Sequence, residues 1–210
     1  MSVGPYHPKP HLRITPEPRL RTHDQEAATP KEVGWSIPRP IGTLGGVEVD
    51  VELIPAVASY PIRHAVLRPH QSIDEVPFKE DDEPGTATFG AVERADGAVV
   101  GVATVFRDPA PFDAAGAGVP SGAGSGASTW RLRGMATRSD AQGQGIGTLV
   151  LNAVFDHVAA EGGDLLWCNA RVSAIAFYER AGFRTWGEQW VIAAHGPHVV
   201  MWRRIEPGRV

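Results

Sequence analysis

From Leu151 to Val158 the apolar side chains Leu151, Val154, Phe155 and Val158 recur at three- and four-residue spacing, while Asn152 and Asp156 fall on another face. That period predicts a helix from about Gly145 to Glu161, stopped by Gly162 and Gly163. Strand-like runs stand on both sides of it. Thr86 to Glu93 (TATFGAVE) and Ala98 to Phe106 (AVVGVATVF) are joined by Ala95-Asp96-Gly97, and an Asp-Gly pair there signals a hairpin. Trp130 to Thr137 (WRLRGMAT) alternates large and small side chains, with Gly134 placed for a bulge or a close backbone approach. Beyond the helix, Leu165 to Ala170 (LLWCNA) reads as a buried strand. Ser173 reads as the N-cap of SAIAFYERA, which ends at Gly182. The last strands, TWGEQWVIAA and HVVMWRRI, fold around His195-Gly196-Pro197. Upstream, ELIPAVASYPIRHAVL, Glu52 to about Leu67, is helical in pattern but broken into short pieces starting at Pro55 and Pro61. The order describes a mixed α/β sheet with one crossover unit.

Composition shifts twice along the chain. Residues 1–46 carry eight of the eighteen prolines and no periodicity, which predicts a disordered or loosely packed extension, with the folded domain running from Val47 to Glu206. Asp108 to Ser128, rich in Ala, Gly, Ser and Pro, reads as a flexible insertion between two strands. Twenty basic against twenty-four acidic side chains leave no footprint for nucleic acid or an anionic membrane surface. No apolar run approaches the roughly 20 residues that span a bilayer, and the first residues form no apolar signal segment, so the expected location is the cytoplasm. The single cysteine, Cys168, excludes an internal disulfide framework, leaves no thiolate cluster for zinc, and reads as inert core. His195 and His198 have an H-x-x-H spacing, but across a turn rather than a helix face, so no metal site is predicted.

The stretch QGQGIG, Gln142 to Gly147, sets three glycines on alternate positions just ahead of the predicted helix. A triphosphate loop needs Lys and Ser or Thr where this helix starts GTLVL, so that chemistry fails. The G-x-G-x-G spacing also misses the dinucleotide G-x-G-x-x-G, and Asp164 lies at the entrance of the next strand rather than its exit. A dinucleotide-binding oxidoreductase is therefore a weak alternative. What remains is a loop of free backbone N–H groups at a helix N-terminus, where the macrodipole favours an anion.

That loop resembles motif A of the GNAT superfamily of N-acetyltransferases, Q/R-x-x-G-x-G/A, with Gln142, Gly145 and Gly147 at its defining positions. NARVSAIAFYERAGF resembles motif B, and PIRHAVLRPHQ resembles the first helix region of one group of these enzymes. The resemblance implies a mostly antiparallel central sheet flanked by helices, with the fourth and fifth strands splayed into a cofactor cleft. It implies acetyl-CoA as cosubstrate and no metal. The pyrophosphate would lie on the backbone of Gln142, Gly143, Gln144, Gly145, Ile146, Gly147 and Thr148. The pantetheine arm would follow Met135, Ala136 and Thr137, with Asn169 beside it. Tyr178 would protonate the departing thiolate.

The implied reaction is transfer of an acetyl group to a primary amine by direct attack in a ternary complex. A non-catalytic acyl-CoA-binding sensor on the same fold is the alternative. The resemblance leaves the acceptor open between a small-molecule amine and a protein amine, and a homodimer stays open as the assembly. Many relatives carry a basic glutamate on the strand before the loop, but here that strand bears Arg131 and Arg133. His64, Asp81, Asp82, Glu188 or a water are the candidates for the general base.

Overall fold

The stretch VEVDVEL alternates valine with acidic residues and then leucine, and this period-two pattern builds a strand rather than the start of a helix. The computed structural model describes residues 42–44, 47–112 and 128–206 of the chain. Gly42–Leu44 (β1) and Val47–Leu53 (β2) form an antiparallel pair. The pairing of Glu52 with Gly90 and of Leu53 with Phe89 draws both residues out of the helical segment the sequence suggested. Helix begins only at the prolines. Pro55 caps a 3-10 turn, Ala56–Ser59, and Pro61 sits in the first turn of α1, Tyr60–Leu67, where its missing N–H costs nothing. The expectations for the remainder of 1–46 and for 113–127 lie outside the described residues.

Ala87–Glu93 (β3) and Val99–Arg107 (β4) make the predicted hairpin, with Gly97 of its turn at φ +75°. Thr129–Thr137 (β5) pairs with β4 and leads through a 3-10 turn, Ser139–Ala141, into α2, Ile146–Ala160. Then follow Leu165–Arg171 (β6), a 3-10 turn Val172–Ala174, α3 Ile175–Arg180, Arg184–Ile192 (β7) and Gly196–Arg204 (β8). Ser173 lies inside that turn and forms no cap. Ala174 is the N-cap of α3, because β6 runs on to Arg171 and the turn uses up the residues between.

Among the described residues the strands form one sheet in the order β1-β2-β3-β4-β5-β6-β8-β7. Every neighbouring pair is antiparallel except β5 and β6, whose parallel pairing requires the crossover through α2. This is the mixed, mostly antiparallel fold the sequence predicted. Helix α2 buries Ile146, Val150, Leu151, Val154 and Val158 against the sheet. Each such side chain contributes about 1.5–3 kcal/mol. The glycine at its N-cap forfeits a side-chain cap worth only about a few tenths of a kcal/mol more than glycine supplies. Packing therefore decides the helix, and its first turn is free to serve another purpose. Helix α1 covers the opposite face, where Ile62 packs with Val102 and Ala136. Among the described residues no helix is long and apolar enough to cross a membrane.

Candidate active site

The parallel pair is short. β5 and β6 are in register only at Thr129–Leu165, Trp130–Leu166 and Arg131–Trp167, after which β5 stays with β4 and β6 stays with β8. The edges of residues 132–137 and 168–171 therefore face one another without ladder bonds. Such edges offer backbone donors and acceptors to an extended ligand. On β5 the divergence coincides with a bulge: Val102 pairs with Ala136 and Thr104 with Arg133, so Gly134 and Met135 together oppose Ala103. Gly134 has φ +64°, which other residues reach only with strain. It also lies on the ring of Phe78, so that a Cβ there would come 2.7 Å from Phe78 Cε2 and 3.0 Å from Arg63 Nε.

Beneath the bulge is a buried polar cluster. Arg63, with no exposed surface, forms a two-pronged bond to Asp81 (2.7 and 3.1 Å) and also donates to Thr104 Oγ1. Asp81 accepts a further bond from the Phe78 amide at 2.8 Å. The ring of Phe78 in turn carries the guanidinium groups of Arg63 and Arg133 at 4.3 and 4.0 Å. Arg133 is neutralised by Glu80 at 2.9 Å, while burial lowers its affinity for a proton. This network fixes Phe78 and with it the bulge.

At the far end of β5, Gly143 (φ +75°) and Gly145 (φ +81°) turn the chain into α2. Gln142 Nε2 donates to Thr137 O and Gln144 Nε2 to Asp140 O, each at 3.0 Å, and these bonds hold the loop's shape. The first helical bonds run from Thr148 N and Leu149 N to Gly145 O (2.9 and 3.1 Å). The N–H groups ahead of them have no intrahelical acceptor and lie at the positive end of the helix.

Bulge, loop and splayed edges bound one cleft of about 860 Å3, a size that suits a cofactor-sized ligand. Met135, Ala136, Thr137, Asn169 and Tyr178 line it. So do Gln142, Gly143, Gly145, Ile146, Gly147 and Thr148 of the loop, whereas Gln144 does not. Asn169 is exposed between buried Cys168 and Ala170, because the missing neighbour leaves its side of β6 open.

Tyr178 and Cys168 lie in the same buried core cluster, and burial sets the chemistry of both. The Cys168 thiol is pushed up to about 12. The Tyr178 phenol is held well above its ordinary value, by burial first and by Cys168 second. Neither ionises near neutrality, so Tyr178 can act only as a donor and Cys168 supplies no thiolate nucleophile.

None of the side chains named from the sequence as general base lines the cleft. His64 Nε2 lies 2.7 Å from Gln71 O, Asp81 is committed to Arg63, and Asp82 and Glu188 are exposed elsewhere. His195 and His198 do line it. Burial, followed by the charges of Arg171, Arg68 and His198, holds the His195 imidazole below its usual range, so it is neutral at pH 7. The sequence showed these histidines only as turn residues. Their place in the cleft depends on β8 pairing with β6, where Arg171 meets His198.

The family model described as the acetyltransferase (GNAT) family matches residues 55–183. The uncharacterized N-acetyltransferase YitI of Bacillus subtilis (strain 168) is 31% identical over 161 residues, 77% of this chain and 99% of its own. Among solved structures, an aminoglycoside 6'-N-acetyltransferase complexed with coenzyme A is similar with a TM-score of 0.57 at 16% identity, over 76% of this chain and 99% of that one. The ribosomal-protein-S18-alanine N-acetyltransferase from Escherichia coli is similar with a TM-score of 0.54 at 19% identity, over 76% of this chain and 96% of that one. At these identities the structural likeness concerns the fold.

Proposed function

The chain belongs to the acetyltransferase (GNAT) family, and on that premise we propose that it transfers the acetyl group of acetyl-CoA to a primary amine by direct attack in a ternary complex. The observation that carries this reading is the cleft itself, in which two unpaired strand edges lead to a glycine loop at a helix N-terminus. Its chemistry suits the donor: the charged residues that line it are arginines, and among the described residues no Asp or Glu lines it. One solved relative in fold is a coenzyme A complex. We place the reaction in the cytoplasm, where a lone buried cysteine stays reduced.

In this reading the amides of the loop from Gln142 to Thr148 bind the pyrophosphate, and the edge at Met135, Ala136 and Thr137, with Asn169 opposite, holds the pantetheine. Acetyl-CoA supplies the activated thioester. The amide beside the bulge, at Met135, faces the thioester oxygen as negative charge develops there, a role worth about 3 kcal/mol in other acyl transfers. His195, neutral at pH 7, takes the proton of the attacking amine directly or through water. Tyr178 gives its phenolic proton to the departing sulfur. Its high proton affinity keeps it loaded at every working pH.

Gly145→Asp tests the donor half of the reading, because it puts a carboxylate and a Cβ at a left-handed N-cap where the phosphates would lie. The folded variant is expected to lose acetyl-CoA affinity by calorimetry, and unchanged affinity would refute the phosphate loop. Free-thiol release across an amine panel tests the other half. Donor binding without turnover of any amine would favour the non-catalytic sensor.

A further inference from the structure

The mouth of the cleft away from the glycine loop carries more positive charge than a donor thioester needs. Arg68 follows the last turn of α1, Arg171 ends β6, His195 stands in the turn between β7 and β8, and His198 is paired with Arg171 across the sheet. All four line the cleft. Arg171 Nη2 donates to Leu67 O at 2.6 Å, which sets its guanidinium beside the residue that precedes Arg68. Arg68 Nη1 donates to Glu75 O at 2.7 Å, and its guanidinium lies 5.1 Å from the Phe78 ring. The charges of Arg68 and Arg171 both reach His195.

Of the other arginines that line the cleft, Arg131 is answered by Asp108 at 3.0 Å and Arg133 by Glu80 at 2.9 Å, while Arg180 stands on α3, on a different element from Arg68 and Arg171. Arg68 and Arg171 form no ion pair among the described residues, and their hydrogen bonds go to backbone carbonyls. Asp81 and Glu75 act on Arg68 from a distance, but Asp81 is held at 2.7 Å by Arg63. Burial disfavours the charged form of Arg68, and the nearby Arg63 charge adds to the effect. Two guanidinium groups anchored by carbonyls keep their outer donors and their charge for something else.

We propose that Arg68 and Arg171 form a subsite for an anionic group of the acceptor, so that the acceptor is a small amine bearing a carboxylate or a phosphate. The inference rests on the acetyl-transfer reading and narrows its substrate. An anion seated between the two guanidinium groups points the attacking nitrogen toward His195. A second cationic group on the acceptor meets repulsion there, with no carboxylate lining the cleft among the described residues to relieve it. Polycationic amines are therefore poor acceptors.

The test compares matched amines: α-amino acids against their carboxamides, 2-aminoethyl phosphate against ethanolamine, and spermidine as the polycation. In one of the first two pairs the anionic member is expected to show at least ten-fold higher kcat/KM, and which pair responds identifies carboxylate or phosphate as the group. Arg68→Gln and, independently, Arg171→Gln are expected to bring that ratio toward one while the KM for acetyl-CoA holds. Arg68→Gln keeps the test valid if loss of the Leu67 tether unfolds the other variant. Equal or better turnover of the neutral members or of spermidine would overturn the subsite while leaving acetyl transfer intact. Should no amine turn over, calorimetry on the CoA-loaded protein decides: anionic amines binding no better than their neutral partners overturn it. Failure to bind acetyl-CoA would refute the donor reading itself, and the subsite with it.

Discussion

Replacing Gly134 with alanine separates two costs that the bulge combines. The backbone at φ +64° charges any residue with a Cβ about 1–2 kcal/mol. The second cost is steric. The new methyl group would stand 2.7 Å from Phe78 Cε2, 3.0 Å from Arg63 Nε and 3.2 Å from Phe78 Cζ. Those neighbours cannot swing aside. Arg63 is fully buried and bonded to Asp81, and the Phe78 ring lies against the Arg63 and Arg133 guanidinium groups. Overpacking of that kind adds about 1–3 kcal/mol, for a total of about 2–5 kcal/mol. Gly97→Ala is the control, because φ there is +75° but nothing lies within 4 Å of the added carbon. It should show the backbone cost alone. Chemical denaturation of the two variants reads the difference directly, and for a chain of this size the Gly134 variant should melt about 4–20 °C lower than the parent. If the bulge also positions the Met135 amide, turnover should fall at temperatures where the variant is still folded. Gly134→Ala proving no more destabilising than Gly97→Ala would refute the claim that the arginine and aspartate network locks Phe78 against the bulge.

Tyr178→Phe keeps the ring among Phe177 and Phe183 and removes only the hydroxyl, so kcat is expected to drop about ten- to a thousand-fold with acetyl-CoA affinity unchanged. An unaltered kcat with chemistry rate-limiting would return the residue to a packing role. Cys168, with its thiol raised to about 12 and its side chain buried, should resist iodoacetamide at pH 8 in the native protein and react once unfolded, as mass spectrometry would show. His157 sits between the rings of Phe89 and Trp130, each 5.5 Å away; burial lowers its pKa in the fold, with Glu161 opposing and Arg107 adding. The unfolded chain then binds more protons below pH ~6.5, so the associated stability is complete above that pH and is lost as pH falls through it. The melting temperature of the parent should therefore fall relative to that of His157→Leu from pH 7 to pH 5, and a constant difference would refute the assignment.

Patterns that act over a few residues were legible without any structure. The three-and-four spacing after Gly145 determined α2, Asp96-Gly97 determined a hairpin, and Pro55 and Pro61 set where helix begins, because each limits φ, ψ or the buried face within one turn of chain. The glycine loop was legible for the same reason, since left-handed backbone at Gly143 and Gly145 is a local demand. VEVDVEL shows its alternation as plainly, yet the boundary at Glu52 and Leu53 was settled by pairing with β3, a strand some forty residues away. Ser173 had the chemistry of a cap and lost the position to the length of β6. The general base shows the limit most sharply. The carboxylates and His64 had suitable chemistry, but Arg63 claimed Asp81 and the Gln71 carbonyl engaged His64, while Asp82 and Glu188 lay elsewhere. The mouth formed by Arg68, Arg171, His195 and His198 draws on the end of α1, the end of β6 and the β7–β8 turn, and no spacing in the chain announces it. Only the sheet order, which places β8 beside β6, and the bond from Arg171 to Leu67 bring those side chains together, since long-range pairing decides which side chains share a space and local sequence decides only how each one is presented.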